Sequence, residues 1–592
     1  MTTCKWCSTE DFVTQSDRNR IQAQPVAPTR GLIYDRNGEL LADNRPSYRL
    51  SLVLERIDNL DETIVELQKL VEISDLDVER FYKAKNRTRV RFQPMPIRQN
   101  LTEAEIARIS VHEHHLPGVE VEAELVRYYP HGALFAHTIG YVGRINEREL
   151  ASFDDDEKKD YSATYTIGKI GIENFYERAL LGSVGTQLIE TNAHGRALRV
   201  LTRNEPVPGK SLHLSLDIKL QQTAMAALGE NRGAVVAIEV KTGSVLAMVS
   251  TPSFDPNVFV TGISNADYTA LNTSKDLPLY NRTIQAQYPP GSVLKPMLGL
   301  GGLESGVITP QTRIFDPGWY QLGEGERFYR DWKKWGHGNA VDLNQAITES
   351  CDTFFYSMSI KMGIDAMHPF GAHFGLGQYT GIDLPNERKG IWPSREWKKV
   401  ARRLPWYPGD SLNVSIGQGD VLVTPLQMAQ MTATLANRGV RIKPHLVDRI
   451  GDDIVPPTPL DRVEAKPQNW NYVFEAMQAV IHSPRGTAKT INKNLNYRIA
   501  GKTGTAQVIG IAQNETYNRD KIKSHNWDHA LFIAFAPADN PEIAVAVIVE
   551  NGEHGSSAAS PIARKVFDRW LIKEPVDAPA NTDPQLNAAG AQ

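Results

Sequence analysis

Two groups of apolar, β-branched segments, widely separated in the chain, constrain its fold more than any other feature. The first, 233–248, reads as a hairpin: an apolar strand, the turn Lys241-Thr242-Gly243, and a second apolar strand. The second group, 500–508, 530–537 and 543–550, reads as three more sheet strands, of which Leu531–Ala536 and Ile543–Val549 are apolar and buried. Between the groups the pattern is mostly helical. Over 424–439, for instance, Thr424 is an N-cap, Pro425 takes the first helical position, Gln427 completes a capping box and Gly439 ends the run. Strands, then helices, then strands predict an antiparallel sheet whose first and last strands meet, with an all-helical insert between them. A helix to 228 capped by Asp217 and a closing helix over 561–571 complete this unit.

A chain of 592 residues exceeds one core, and the N-terminal part has a different texture. Residues 30–42 read as strand, Asn37-Gly38 turn, strand. Ile64, Leu67 and Val71 fall at helical spacing. Thr102 with Glu105 forms a capping box, and Leu101 with Ile106 a hydrophobic staple. These features predict an α+β module over 11–205, a turn-rich linker at Glu205-Pro-Val-Pro-Gly209, and the sheet-and-insert domain over 206–573. Residues 1–10 are unlike the rest of the N-terminal part, and their lone Cys4-x-x-Cys7 is incidental. The Pro-, Ala-, Asn- and Gln-rich tail over 574–592 is expected to be disordered. The glycines of 168–185 read as turns and caps rather than a phosphate loop, because no Gly-Lys-Ser/Thr is present. A net charge of −4 without a long basic run argues against nucleic acid as a partner. No apolar run reaches the roughly 18 residues of a membrane helix, and there is no signal peptide.

The candidate site begins at Tyr288-Pro-Pro-Gly-Ser-Val-Leu-Lys-Pro-Met297. Positions i and i+3 share a helix face, so Ser292 and Lys295 point into one space. A serine at a helix start also lies among free N–H groups, which suit an oxyanion. Ser-x-x-Lys alone carries little information. Its company is Ser350-Cys351-Asp352, ahead of an aromatic helix face, and Lys502-Thr503-Gly504-Thr505, which opens a strand. Each motif has a rival: Lys241-Thr242-Gly243 lies in a hairpin turn ahead of Ser292, and Ser411-Leu412-Asn413 lies later in the insert.

In this order the three motifs resemble those of penicillin-binding proteins and serine β-lactamases. Arg30-Gly31, Asp35-Arg-Asn-Gly38, Gly171-Ile-Glu173, 233–257 and Ser415-Ile-Gly-Gln-Gly419 extend the resemblance to class B penicillin-binding proteins. Tyr329-Arg-Asp-Trp-Lys-Lys-Trp-Gly-His-Gly338 is similar to their elongation-type, penicillin-binding protein 2 group. The resemblance covers about 11–572 and implies an N-terminal pedestal, or dimerisation-type module, below a transpeptidase domain. It implies a D,D-transpeptidase that acylates Ser292 with a peptidoglycan stem peptide ending in D-Ala-D-Ala, releases D-Ala, and passes the acyl group to an amine on a neighbouring strand. β-Lactams would inhibit it. Lysine serves as a base only when neutral, and burial or a nearby cation lowers its pKa from about 10.4. Lys295 is then the base and Lys502 the cation, and Ser350 relays the proton, beside Asp352. Lys502, Thr503 and Thr505 receive the substrate carboxylate, Gly504 lets the substrate lie close, and the amides of Ser292 and Thr505 form the oxyanion hole.

Catalysis implies no cofactor. Asp316, Asp331, His337 and Cys351 have the chemistry of tetrahedral zinc, and the resemblance implies a structural Zn2+ tying the loop after Ser292 to the Ser350 segment. It further implies an elongation glycosyltransferase of the shape, elongation, division and sporulation family and a rod-shape scaffold protein as partners. Localisation would be the inner membrane with the catalytic domain in the periplasm, although the short cytoplasmic tail and membrane helix of family members are not seen in this sequence. Two other readings stay open: a D,D-carboxypeptidase or β-lactamase-like hydrolase, and a non-catalytic penicillin sensor or scaffold.

Overall fold

The computed structural model describes residues 21–87, 94–191, 197–324, 327–509 and 522–572. The Cys4-x-x-Cys7 stretch and the tail over 574–592 lie outside them.

The C-terminal half is built on five strands: β1 (Gly233–Glu239), β2 (Val245–Thr251), β3 (Ala500–Ala506), β4 (His529–Ala536) and β5 (Ile543–Val549). Their order is β2-β1-β5-β4-β3, with every neighbouring pair antiparallel. The first and last strands of the sequence pattern do meet, with Gly233 opposite Val549 and Glu239 opposite Ile543. All residues of β2 and β5 are buried, so both faces of the sheet are covered. This is why these segments read as continuous apolar runs rather than as an alternation. Helices α1 (Ile218–Leu228) and α6 (Ser560–Leu571) pack together against the sheet, and α4 (Pro425–Ala436) and α5 (Pro467–His482) also pack on it. Thr424 and Gln427 make the predicted capping box at the start of α4, and Asp217 caps α1 through Leu220 N–H. The insert supplies α2 (Lys295–Glu304) and α3 (Asp352–Met362).

The N-terminal module carries the long pair Leu40–Leu52 and Val119–Tyr128. A separate core under it gathers Leu50, Ile64, Leu67, Phe81 and Ile109. Thr102 and Glu105 form the predicted capping box. The expected linker is not a free hinge. Strand Leu212–Leu214, just beyond it, pairs in parallel with Ile33–Tyr34 and antiparallel with Val447–Ile450. A Cβ on Gly209 would lie 1.8 Å from Leu180 O, so the chain is pressed onto the module at that point. One sheet therefore runs across the expected boundary. Gly182, expected as a cap, ends a short helix at φ +80°.

Among the described residues, no helix is long and apolar enough to cross a membrane.

Candidate active site

Pro289-Pro290 leads into a 3₁₀ turn, Gly291–Leu294, that continues into α2 with Pro296 in its first turn, where its missing N–H costs no helical bond. Gly291 has φ +58°, and its N–H donates to Gly417 O at 2.9 Å. A Cβ there would sit 2.5 Å from Thr505 O, so only glycine lets the serine turn press against β3. From the strand side, a Cβ on Gly504 would lie 2.8 Å from Val293 Cγ1. Gln418 Nε2 donates to Thr505 O at 3.2 Å. The segment Ser415-Ile-Gly-Gln-Gly419 thus clamps the serine turn to β3. Its sequence suggested family resemblance but gave no hint of this contact.

Ser292 is half-buried at the turn. Lys295, three residues on, is fully buried; its Nζ donates to Ser350 O at 2.8 Å, Ser350 Oγ at 3.3 Å and Asp352 Oδ1 at 2.6 Å. Lys502 comes from β3, is equally buried, and donates to Ser350 Oγ at 2.9 Å and Thr503 O at 2.9 Å. The Ser350 hydroxyl is therefore shared by both amines. Ser350 itself has φ +64°. A left-handed serine costs about 1–2 kcal/mol, and such strain persists only where the surroundings fix it. Thr503 Oγ1 lies 2.7 Å from Thr487 Oγ1, a residue the sequence did not flag.

Charge is unbalanced here. Burial, reinforced by the Lys295 cation, holds Lys502 well below the ordinary lysine range, with Asp352 opposing. The family resemblance implies Lys502 as the cation acting on Lys295. In the structure the carboxylate in contact, Asp352, belongs to Lys295, and the amine without one is Lys502.

The rivals lie elsewhere. Lys241 Nζ donates to Asn437 Oδ1 at 3.2 Å, and Ser411 Oγ accepts from Trp406 Nε1 at 2.9 Å.

The four candidate metal ligands converge, their ligand atoms all lying within 4.8 Å of one another. His337 Nδ1 is 2.6 Å from Asp316 Oδ2 and 3.7 Å from Asp331 Oδ1, and Cys351 Sγ is 3.4 Å from Asp316 Oδ2. His337 Nε2 is buried without a hydrogen-bond partner. Burial, with Asp331 and Asp316 nearby, pushes the Cys351 thiol far up. Two buried carboxylates, a thiol and an imidazole with an unmet nitrogen are a donor set that fits a divalent cation. Asp331 also holds the Ser350 segment: its Oδ2 accepts from Asp352 N–H at 2.6 Å and Thr353 N–H at 3.0 Å.

Comparison with known proteins matches both halves. The penicillin binding protein transpeptidase domain covers 233–568, and the penicillin-binding protein dimerisation domain covers 25–214. The peptidoglycan D,D-transpeptidase MrdA of Acinetobacter baumannii is 48% identical over 581 residues, spanning 97% of this chain and 85% of the relative. Pseudomonas aeruginosa PBP2, solved in complex with WCK 5153, is 42% identical at a TM-score of 0.73, covering 93% of this chain and 97% of that one. Helicobacter pylori PBP2, solved in complex with MreC, is 30% identical at a TM-score of 0.79, covering 93% and 99%. With matches of this extent across both modules, the chain belongs to the penicillin-binding protein family, in its elongation-type, penicillin-binding protein 2 group.

Proposed function

We propose that the chain is a peptidoglycan D,D-transpeptidase acting through a serine acyl-enzyme, and that Ser292, Lys295, Ser350, Asp352 and Lys502 carry the reaction. The observation behind these roles is the Ser350 hydroxyl held between two buried amines, beside a serine turn clamped to β3. Lys502 lacks an anion. The terminal carboxylate of a stem peptide, received by Lys502, Thr503 and Thr505, supplies one and draws a proton onto Lys502. Ser350 Oγ passes that proton from Lys295, which is left neutral. Ser292 Oγ then attacks the D-Ala-D-Ala carbonyl and gives its proton to Lys295. The N–H groups of Ser292 and Thr505 hold the oxyanion. As the C–N bond breaks, the proton returns through Ser350 to the leaving D-Ala amine. An acceptor amine attacks the ester, and Ser292 recovers its proton. A β-lactam takes the first step, but its amine stays tethered.

Ser292→Ala is expected to abolish covalent labelling by fluorescent penicillin; full labelling would refute the assignment. Rapid turnover of a chromogenic cephalosporin would instead mark a hydrolase.

The reading extends to a structural zinc ion held by Asp316, Asp331, His337 and Cys351. When bound, it neutralises the two carboxylates and fixes the loop that supports Asp352. Metal analysis of protein purified without chelators is expected to find one zinc per chain, lost in Cys351→Ser; a metal-free wild type would refute the site. One relative is solved in complex with MreC; in this chain the N-terminal module would dock a rod-shape scaffold protein and an elongation glycosyltransferase, with the chain held at the inner membrane and its catalytic domain in the periplasm. Co-purification of such partners with the full chain tests this.

A further inference from the structure

Exposed tryptophan and phenylalanine, unlike exposed tyrosine, are unevenly spread. Among the described residues, the exposed tryptophans are Trp319, Trp332 and Trp335, and the exposed phenylalanines are Phe175, Phe315 and Phe328. Five of these six lie within 315–335. Trp335 is 83% exposed and Trp319 43%. Water-facing tryptophan is unfavourable unless something covers it, so such clustering marks a binding surface. Packing inside the domain covers these rings only in part, as where Trp332 meets His337 edge-on at 5.8 Å. Trp319 meets Phe328 edge-on at 4.8 Å, and an open cleft of about 480 Å³ lies between Phe315, Trp319, Tyr320 and Thr353.

The surface is continuous with the catalytic loop. Thr353, on its wall, adjoins Asp352, the partner of Lys295. Trp332 Nε1 donates to Glu349 O at 3.1 Å, one residue before Ser350. The charged residue on the cleft wall is Glu324, and basic groups stand on the neighbouring rings: Lys334 Nζ lies 5.3 Å over the Trp335 ring, and the Arg327 guanidinium 5.7 Å over that of Tyr329.

We infer that this aromatic and basic surface is a glycan-strand platform, on which the N-acetylhexosamine backbone carrying the stem peptide lies during the reaction. The inference rests on the transpeptidase reading. Four residues of the stem peptide lie between the sugar and the carbonyl that Ser292 attacks, roughly 13 Å when extended, so the sugar chain has to lie within about that reach of Ser292. Hexosamine rings present C–H faces that cover aromatic rings, and the peptides they carry bear carboxylates that suit Lys334 and Arg327.

The test uses the full chain and its Trp319→Ala/Trp335→Ala variant, with peptide-free strands of alternating N-acetylglucosamine and N-acetylmuramic acid as the probe. Wild type is expected to bind the strands, and the double variant at least tenfold more weakly. Cross-linking of glycan-borne pentapeptide should fall about tenfold through KM, while acylation by penicillin, which carries no sugar, changes less than twofold. Replacement of both tryptophans by Phe should restore most of the loss. The platform is overturned if wild type ignores the strands, if the variant binds them equally, or if penicillin acylation falls in parallel, which marks a merely structural role. A variant that loses only co-purification with the polymerase marks a protein dock and equally overturns it. A wild type that binds strands but is never acylated by penicillin would sink the transpeptidase reading and leave the platform standing.

Discussion

Two buried ionic clusters, one in each half of the molecule, are built on opposite principles. In the N-terminal module Glu173, fully buried, receives Arg127 Nε at 2.6 Å and Arg30 Nη2 at 2.6 Å, while Arg30 also reaches Glu177 at 2.5 Å. Two guanidiniums face two carboxylates, and Tyr129 OH adds a bond to Glu173 at 3.1 Å. Burial opposes ionisation of Glu173, but Arg127 and Arg30 outweigh it and hold its carboxyl below the usual range. In the candidate site two lysines share a single hydroxyl, Ser350, and only Lys295 contacts a carboxylate, Asp352. A balanced cluster fixes a fold. An unbalanced one leaves an amine without an anion, and in the proposed reaction the substrate carboxylate supplies it.

That contrast is broken most easily at Lys295. Lys295→Met removes the proposed acceptor of the Ser292 proton while filling the same buried space. Acylation by penicillin is expected to slow about a thousandfold in the protein that stays folded, roughly 4 kcal/mol of barrier; the denaturation midpoint should fall as well, because Asp352 loses the cation it contacts. A loss below tenfold would mean that another group takes the proton.

The balanced cluster should respond in stability rather than rate. Glu173→Gln leaves two buried guanidiniums short of charge, an error of about 3–5 kcal/mol. The sign follows from the lowered Glu173 pKa. Its contribution is present above the unfolded carboxyl value of about 4.3 and is lost as pH falls through the folded one. The variant should therefore unfold at lower urea near pH 7 and lose part of the acid-side dependence of wild type. Penicillin acylation by the folded protein should stay within a fewfold. An unchanged midpoint would show that the pairs contribute nothing.

Lys502 should behave in the opposite sense. A folded pKa held below the unfolded value of about 10.4 means that the fold resists the charge. This penalty grows as pH falls below 10.4 and levels off below the folded value. Lys502→Met is thus expected to raise stability by about 1–2 kcal/mol at pH 7, and by less near pH 10, while cross-linking is lost. Urea titrations at the two pH values decide it; a variant less stable than wild type at pH 7 would mean that Lys502 is satisfied in the fold.

The same contrast shows where sequence reading stops. The sheet was legible because β1, β2, β4 and β5 are covered on both faces and so appear as unbroken apolar runs. The capping boxes at Thr102 and Thr424 were legible because both partners lie within one helical turn. Ser292, Lys295, Ser350 and Lys502 were picked out by motif order, but the motif did not show which amine holds the carboxylate. The link from Arg30 to Glu173 spans 143 positions and leaves no local trace. Nor does a left-handed φ at Ser350, since serine, unlike glycine, does not advertise it. The pairing of Leu212–Leu214 with Val447–Ile450 across the expected boundary was hidden for the same reason: a three-residue strand carries too little pattern to name its neighbours.

The smallest expected effect is also the sharpest on the substrate side. The Thr487 side chain meets the candidate site through Thr503, hydroxyl to hydroxyl at 2.7 Å, while its N–H donates to Thr348 O at 3.3 Å. If Thr503 receives the substrate carboxylate, Thr487 fixes the direction in which its hydroxyl points. Thr487→Val keeps the shape and removes that bond, worth about 1 kcal/mol. The expected result is a roughly fivefold rise in KM for a stem peptide with a free terminal carboxylate. An analogue amidated at that carboxylate should show almost no change, because Thr503 then has no anion to orient. Equal losses on both substrates would place Thr487 in the support of β3 rather than in recognition, and would move the anion-receiving role back onto Lys502 and Thr505 alone.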